Sequence, residues 1–148
     1  MNTTATTPSN GGRPISSFQQ VMRYCFLVAA ILTELGIVIQ VFFAGAGIFA
    51  QGSWFMYHGM LGSTIFLLPL LQLVFGLLGR LPWKINLLSV LVAILIIVQP
   101  FLIYPFRAAG IPIVAALHPV NAMLIFLLAL TQVLQGRKYT RTTNIQPE

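Results

Sequence analysis

Aspartate is absent from this chain, and glutamate occurs only as Glu34 and Glu148. No pair of neighbouring carboxylates is available for general acid–base hydrolysis. Cys25 is the only cysteine, which excludes an intramolecular disulfide, a thiol redox pair and a cysteine-built zinc or iron–sulfur site. It reads as a small buried apolar side chain. The glycines fall within or between apolar runs rather than in a phosphate-cradling loop, so an ATP-driven activity is not expected. Charge is also scarce. Charged residues make up 7% of the chain and hydrophobic ones 57%, whereas an ordinary soluble domain is roughly a quarter charged. The class that remains is an integral membrane protein with the lipid bilayer as its solvent.

At about 20 apolar residues per crossing, 148 residues hold four spans, short connections and two small tails. Residues 1–16 are polar and rich in Thr, Ser, Asn, Gly and Pro, and read as a disordered cytoplasmic tail. The apolar run that follows is too long for a signal peptide and reads as a retained anchor. The spans are expected at about 20–50, 54–78, 83–106 and 111–134, inside a single domain covering 17–136. A basic cytoplasmic tail follows at 137–148. Gln51-Gly52-Ser53 and Gly79-Arg80-Leu81-Pro82 punctuate the chain between spans, and Pro100 and Pro105 are expected to kink the third. Short connections favour antiparallel neighbours. The fold expected is all-α, an up-down-up-down four-helix bundle with spans two and four diagonally opposite.

Arg13, Arg23, Arg80, Lys84, Arg137, Lys138 and Arg141 fall on one side of this map and only Arg107 on the other. The positive-inside rule then puts both termini in the cytoplasm, in a bacterial inner membrane. Trp54 and Tyr57 mark the outer interface and Trp83 the inner one. The net charge of +6 sits beside the membrane, where it favours an anionic leaflet, and no nucleic-acid partner is implied.

Within so apolar a chain the two histidines stand out. His58 lies about five residues into span two and His118 about seven into span four, so both sit roughly 7–10 Å below the outer end. An ionisable side chain in hydrocarbon is a functional candidate by default, and two at one depth on diagonal helices suggest a shared ligand. Haem b is the expected cofactor, with a neutral imidazole from each side filling an axial position of the iron. Gly62 follows His58 by one turn, and Ala115 and Ala122 flank His118, leaving room for a porphyrin edge. Gly36, Gln40, Ala44 and Gly47 give span one another narrow face. Arg107 sits where haem propionates would emerge. A zinc or copper site is less well provided for, since two imidazoles are too few to close it. The other reading of the histidines is structural: interhelical hydrogen bonds to backbone carbonyls, Asn121 or water.

Glu34 lies near the middle of span one, where a carboxyl needs a hydrogen-bonding partner and is a candidate for proton movement or polar-ligand recognition. Gln72 and Gln132 are the expected neighbours.

The segments QVFFAGAG at 40–47, HGMLGS at 58–63, GRLP at 79–82 and LHPVNAMLIF at 117–126 resemble a functionally unassigned family of small four-span bacterial membrane proteins, from about Gly36 to Leu130. The resemblance implies the topology. It carries His58 and His118 forward as the residues of interest, with Gln40 and Asn121 behind them. A looser similarity, to b-type cytochromes, rests on a four-helix bundle with histidines on two helices.

The expectation is a small haem-b-binding, cytochrome-like protein for electron transfer or haem sensing, exchanging electrons with a quinone or an outer-face redox partner. The alternative is a cofactor-free accessory subunit of a larger membrane complex, or a homo-oligomer, packed through its small-residue faces. A small transporter or proton conductor built on Glu34 ranks below both, because no inverted repeat is visible.

Overall fold

The computed structural model describes residues 14–141. Among these residues every element is helical: α1 (Ser17–Phe49), α2 (Trp54–Gly62), α3 (Leu67–Leu78), α4 (Trp83–Phe101), α5 (Tyr104–Ala108), a 3₁₀ turn at Pro112–Ala116, and α6 (Leu117–Arg141). They make four segments long and apolar enough to cross a membrane, Ser17–Phe49, Trp54–Leu78, Trp83–Ala108 and Pro112–Arg141. The protein is a multi-pass membrane protein with a four-helix bundle. Large apolar side chains such as Val38, Met60, Leu77 and Val120 stand exposed along the bundle's outside, as a lipid-facing surface requires. Arg13, Glu148 and most of the two polar tails lie outside the described residues.

Local chemistry sets the ends. Ser16 opens α1 with a capping box: its hydroxyl accepts from the Gln19 backbone N–H, and the Gln19 side chain accepts from the Ser16 N–H, both at 3.2 Å. Two otherwise orphaned donors are thereby satisfied. At the far end of α3 the chain reverses through Arg80, which takes a left-handed φ of 51°, and Pro82 launches α4. The fourth span runs on as regular helix to Arg141, beyond the end expected at Leu134.

Span two is not the single helix its hydropathy suggests. It breaks between Gly62 and Leu67, where Thr64, Leu67 and Leu68 donate to carbonyls three residues back instead of four. Pro69 is the cause: it has no N–H for the Ile65 carbonyl, and its ring crowds that turn. The kink expected in span three is present, since α4 stops at Phe101 and α5 resumes at Tyr104, around Pro100 and Pro105.

The first span packs against the second and fourth, and the third against the same two, so spans two and four are diagonal. The bundle interior is layered. An apolar layer of Ile37, Ile65, Val92, Ile96, Ile125 and Ala129 is followed by a polar one in which the Gln72 amide donates to Thr33 Oγ1 at 2.7 Å and the Gln132 amide to Ser89 Oγ at 2.8 Å. A second apolar cluster, Phe26, Ala30, Leu81 and Ile85, comes next. Arg23 then closes the end, buried, its Nε donating to the Gly79 carbonyl at 2.9 Å and its ring-facing guanidinium 5.9 Å from the Tyr139 centroid. Arg23 is therefore more than an interfacial charge, since it ties α1 to the turn after α3 and to the end of α6.

Spans two and four are copies of one pattern. At a spacing of sixty positions the chain repeats His58/His118, Ile65/Ile125, Phe66/Phe126, Leu67/Leu127, Leu68/Leu128, Leu70/Leu130, Gln72/Gln132 and Gly76/Gly136. Burial repeats with it: the Ile, Gln and Gly pairs are buried in both copies. The contacts do too, because Gly76 faces Asn86 of span three and Gly136 faces Phe26 and Leu27 of span one. Spans two and four, diagonal and running in the same direction, thus present one pattern to spans three and one, a parallel rather than an inverted repeat.

Candidate functional site

The apolar layer of Ile37, Ile65, Ile96 and Ile125 is the floor of a cavity of about 600 Å³ at the Trp54 end of the bundle, lined by all four spans. That volume lies within the range of small-molecule and cofactor sites. Most of its wall is apolar, and its polar side chains come chiefly in two related pairs, His58 with His118 and Gln40 with Gln99.

Each histidine is held the same way. His58 Nδ1 lies 3.0 Å from the backbone carbonyl oxygen of Gln40, and His118 Nδ1 lies 3.2 Å from that of Gln99. A carbonyl oxygen only accepts, so in the neutral ring Nδ1 carries the proton and Nε2 is left with a free lone pair. Such a bond behind the ring fixes tautomer and orientation in metal-ligating histidines. Gln99 can serve because α4 ends two residues later, at Phe101, which leaves its carbonyl among those that lack a full helical partner.

The two ring centroids are 6.0 Å apart. Two imidazoles on opposite sides of one metal ion, each bonded at about 2 Å, have centroids roughly 6 Å apart. Their mutual angle of 56° is unconstrained by such an arrangement, since each ring is free to turn about the metal–nitrogen bond. The donor set suits a metal with its other positions filled by a ligand of its own. Among the described residues no cluster of three or more His, Cys, Asp or Glu side chains is assembled, so a bare closed metal site is not built here.

The other residues singled out in the sequence divide into two groups. Gly62 and Ala122, sixty positions apart, both line the cavity one turn below their histidines, as does Gln40. A Cβ at Gly62 would come within 2.6 Å of Gln40 Nε2, the end of a flexible side chain that can move aside. Ala115, Arg107 and Asn121 are not in the lining. Ala115 belongs to the 3₁₀ turn, and Arg107 is exposed on α5, one turn past the cavity-lining Tyr104. The Asn121 amide donates to the Leu95 carbonyl at 2.9 Å and pins α6 to α4.

Glu34 is half-buried in α1. Gln72 and Gln132 direct their amide nitrogens to Thr33 and Ser89 instead of to its carboxyl. Gln99 is the lining residue whose role the sequence alone did not bring out. The signal was present as the repeat itself, since a glutamine precedes each histidine by 18 or 19 positions, at Gln40 and Gln99.

Residues 40–109 match the model of a family of unknown function, DUF6220. The match takes in the segments 40–47, 58–63 and 79–82 that suggested an unassigned family of this kind, and it leaves 117–126, with His118, outside. No curated protein and no solved structure matches the chain.

Proposed function

We propose that this protein is a small membrane haem-b protein, with His58 and His118 as the two axial ligands. The observation that carries the reading is the pairing of two imidazoles at ligand spacing, each with Nδ1 committed to a carbonyl, around a cavity large enough for a macrocycle. Hydrogen bonds to carbonyls alone would serve a purely structural histidine equally well. These rings also border open volume, whereas Asn121, which likewise bonds a backbone carbonyl, lies outside the cavity lining.

The chain's own residues supply the ligands, an apolar sleeve and small residues, Gly62 and Ala122, in the lining one turn from each imidazole. Haem iron, when held there, supplies one-electron oxidation and reduction. Among the described residues six basic ones on the Gly79 side, Arg23, Arg80, Lys84, Arg137, Lys138 and Arg141, against Arg107 on the other favour a bacterial inner membrane with both termini cytoplasmic. The cavity then opens near the outer leaflet, where a quinone or an outer-face redox protein is the natural electron partner and haem sensing is the other use of such a site. One haem near one face leaves most of the roughly 30 Å hydrocarbon layer uncrossed, so the chain is not an electron wire across the membrane by itself.

The test is the visible spectrum of detergent-purified protein, oxidised and dithionite-reduced, after expression with ample haem supply. A reducible low-spin b-type spectrum is expected. Colourless, monodisperse protein would overturn the reading and leave the accessory-subunit alternative.

A further inference from the structure

The four spans do not close around the cavity evenly. In one half of span two, α3 packs against both α1 and α4, whereas in the other half α2 has a substantial contact with α1 alone. Gly59 and Ser63 of span two, and Ile97, Pro100, Phe101 and Tyr104 of span three, line the cavity and are exposed at the surface as well. Residues that do both stand at a mouth. A Cβ on Gly59 would meet nothing within 4 Å, so the α2 side of this mouth is open space. Val41 and Pro119 are also lining and exposed, but their seam joins α1 and α6, which pack directly against each other.

We propose that the cavity opens sideways into the bilayer between α2 and span three, and that a membrane-dissolved quinone seats its ring in this opening with its apolar tail left among the lipids. The proposal names the electron partner of the same site and rests on the haem reading. Gly59 follows His58, so the mouth lies at the depth of the histidines, within hydrocarbon, and a partner that uses it never has to leave the lipid. The Trp54 end itself is poorly built for a protein partner. Its connections, 50–53 and 109–111, are short, and Arg107 is its one charged side chain, whereas the docking of a soluble redox protein is steered and registered by complementary charge. The frame of the opening suits a flat ring instead: Phe101 and Tyr104 offer aromatic faces, and the Tyr104 hydroxyl is a donor for a ring carbonyl.

The test uses the full chain in phospholipid nanodiscs, haem-loaded and haem-free, with a photoreactive azidobenzoquinone carrying a decyl tail as the probe and mass spectrometry to locate the label. Saturable labelling is expected within residues 59–66 and 97–104, displaced by unlabelled decyl quinone and not by a decyl compound that lacks the ring. Gly59→Trp fills the open space from the α2 side and is expected to weaken labelling at least about tenfold, whereas Gly59→Ala, which adds only a methyl group there, should keep it. Tyr104→Phe removes the donor and retains the ring, and is expected to weaken labelling about fivefold.

Labelling spread evenly over the lipid-facing surface would overturn the proposal. Displacement by the ring-free decyl compound as effectively as by the quinone would make the opening a groove for ordinary lipid chains and overturn the choice of partner. Undiminished labelling of Gly59→Trp would overturn the location. Should that variant fail to stay monodisperse, Tyr104→Phe carries the test, and its labelling at the parent's level would count against the proposed ring contact. The two readings separate cleanly. A coloured protein without saturable labelling loses the quinone and keeps the haem, whereas saturable labelling of a chain that never takes up haem keeps the quinone opening and removes the haem reading.

Discussion

The bundle contains two polar layers, and only one of them borders the cavity. In the layer of Thr33, Gln72, Ser89 and Gln132 all four residues are 0% exposed, and each glutamine amide closes on a hydroxyl of the adjacent span. In the layer of Gln40, His58, Gln99 and His118 the four residues are half-buried, the rings stand 6.0 Å apart and a cavity of about 600 Å³ lies among them. Both layers are polar groups within hydrocarbon, and the glutamines and histidines in them recur at a spacing of 59 or 60 positions. The difference is space. The Gln72 and Gln132 amide nitrogens find partners inside the protein and hold helices together, although their oxygens have none, whereas the two histidine rings border unfilled volume.

The largest effects should come from the histidines. His58→Ala and His118→Ala each remove one axial ligand and are expected to weaken haem retention by more than about 100-fold, exceeding the range typical of losing a group that merely orients a ligand. The two losses should be equal, because the residues occupy equivalent positions. Haem titration of both variants checks this, and retention of a low-spin spectrum by either variant would break the comparison at its strongest point.

Filling the space should act nearly as strongly without touching a ligand. Ala122→Phe places a ring in the cavity, and is expected to lower haem retention by tenfold or more while the colourless protein stays as stable as the parent, since the side chain enters volume already present. Thermal unfolding of both proteins without haem, followed by titration, separates the two effects. A loss of about 1–3 kcal/mol would mean that the position is already packed, and full haem retention would place the pigment elsewhere.

The closed layer should respond in the opposite sense. Gln72→Leu and Gln132→Leu each remove one interhelical hydrogen bond, and are expected to cost about 0.6 kcal/mol of stability and no more than about 1.7, the average and the maximum for such bonds in a membrane bundle. The haem spectrum should remain unchanged. A shifted spectrum would show that the two layers communicate through the isoleucines between them.

Much of this arrangement is legible in the sequence, and the misreadings have local causes. Hydropathy and the turn residues at 51–53 and 79–82 place four spans, and the matching depth of His58 and His118 follows from parallel diagonal helices. The break at Ser63–Phe66 escapes a hydropathy window because the residues that follow are as apolar as a continuous helix would be. Pro69 is the only mark of it. Asn121 and Ala115 lie near His118 in sequence, but the 3₁₀ turn before α6 and the reach of the Asn121 amide to Leu95 take them out of the cavity. Gln99 becomes visible only when the chain is laid against itself at a spacing of about sixty, a comparison in which the shared pattern is mostly leucine and isoleucine. Partner choice for Gln72 and Gln132 is not written in spacing at all. It depends on which helix face the hydroxyls of Thr33 and Ser89 occupy.

Glu34 belongs to neither layer and sharpens the contrast by its expected silence. It follows Thr33 directly, but the glutamine amide nitrogens that might have served it are directed to hydroxyls, and one of its carboxyl oxygens is buried without a partner. Glu34→Gln keeps the shape of the side chain and removes its ionisation, and is expected to leave haem retention and spectrum unchanged. Stability should change by no more than about 0.5 kcal/mol, the scale of a substitution that breaks no specific contact. Any sizeable gain would show that the carboxyl carries a desolvation cost at this depth. A loss of pigment would tie Glu34 to the cavity through the helix it shares with Gln40, and the division into a closed layer and an open one would then have to be redrawn around a third polar group.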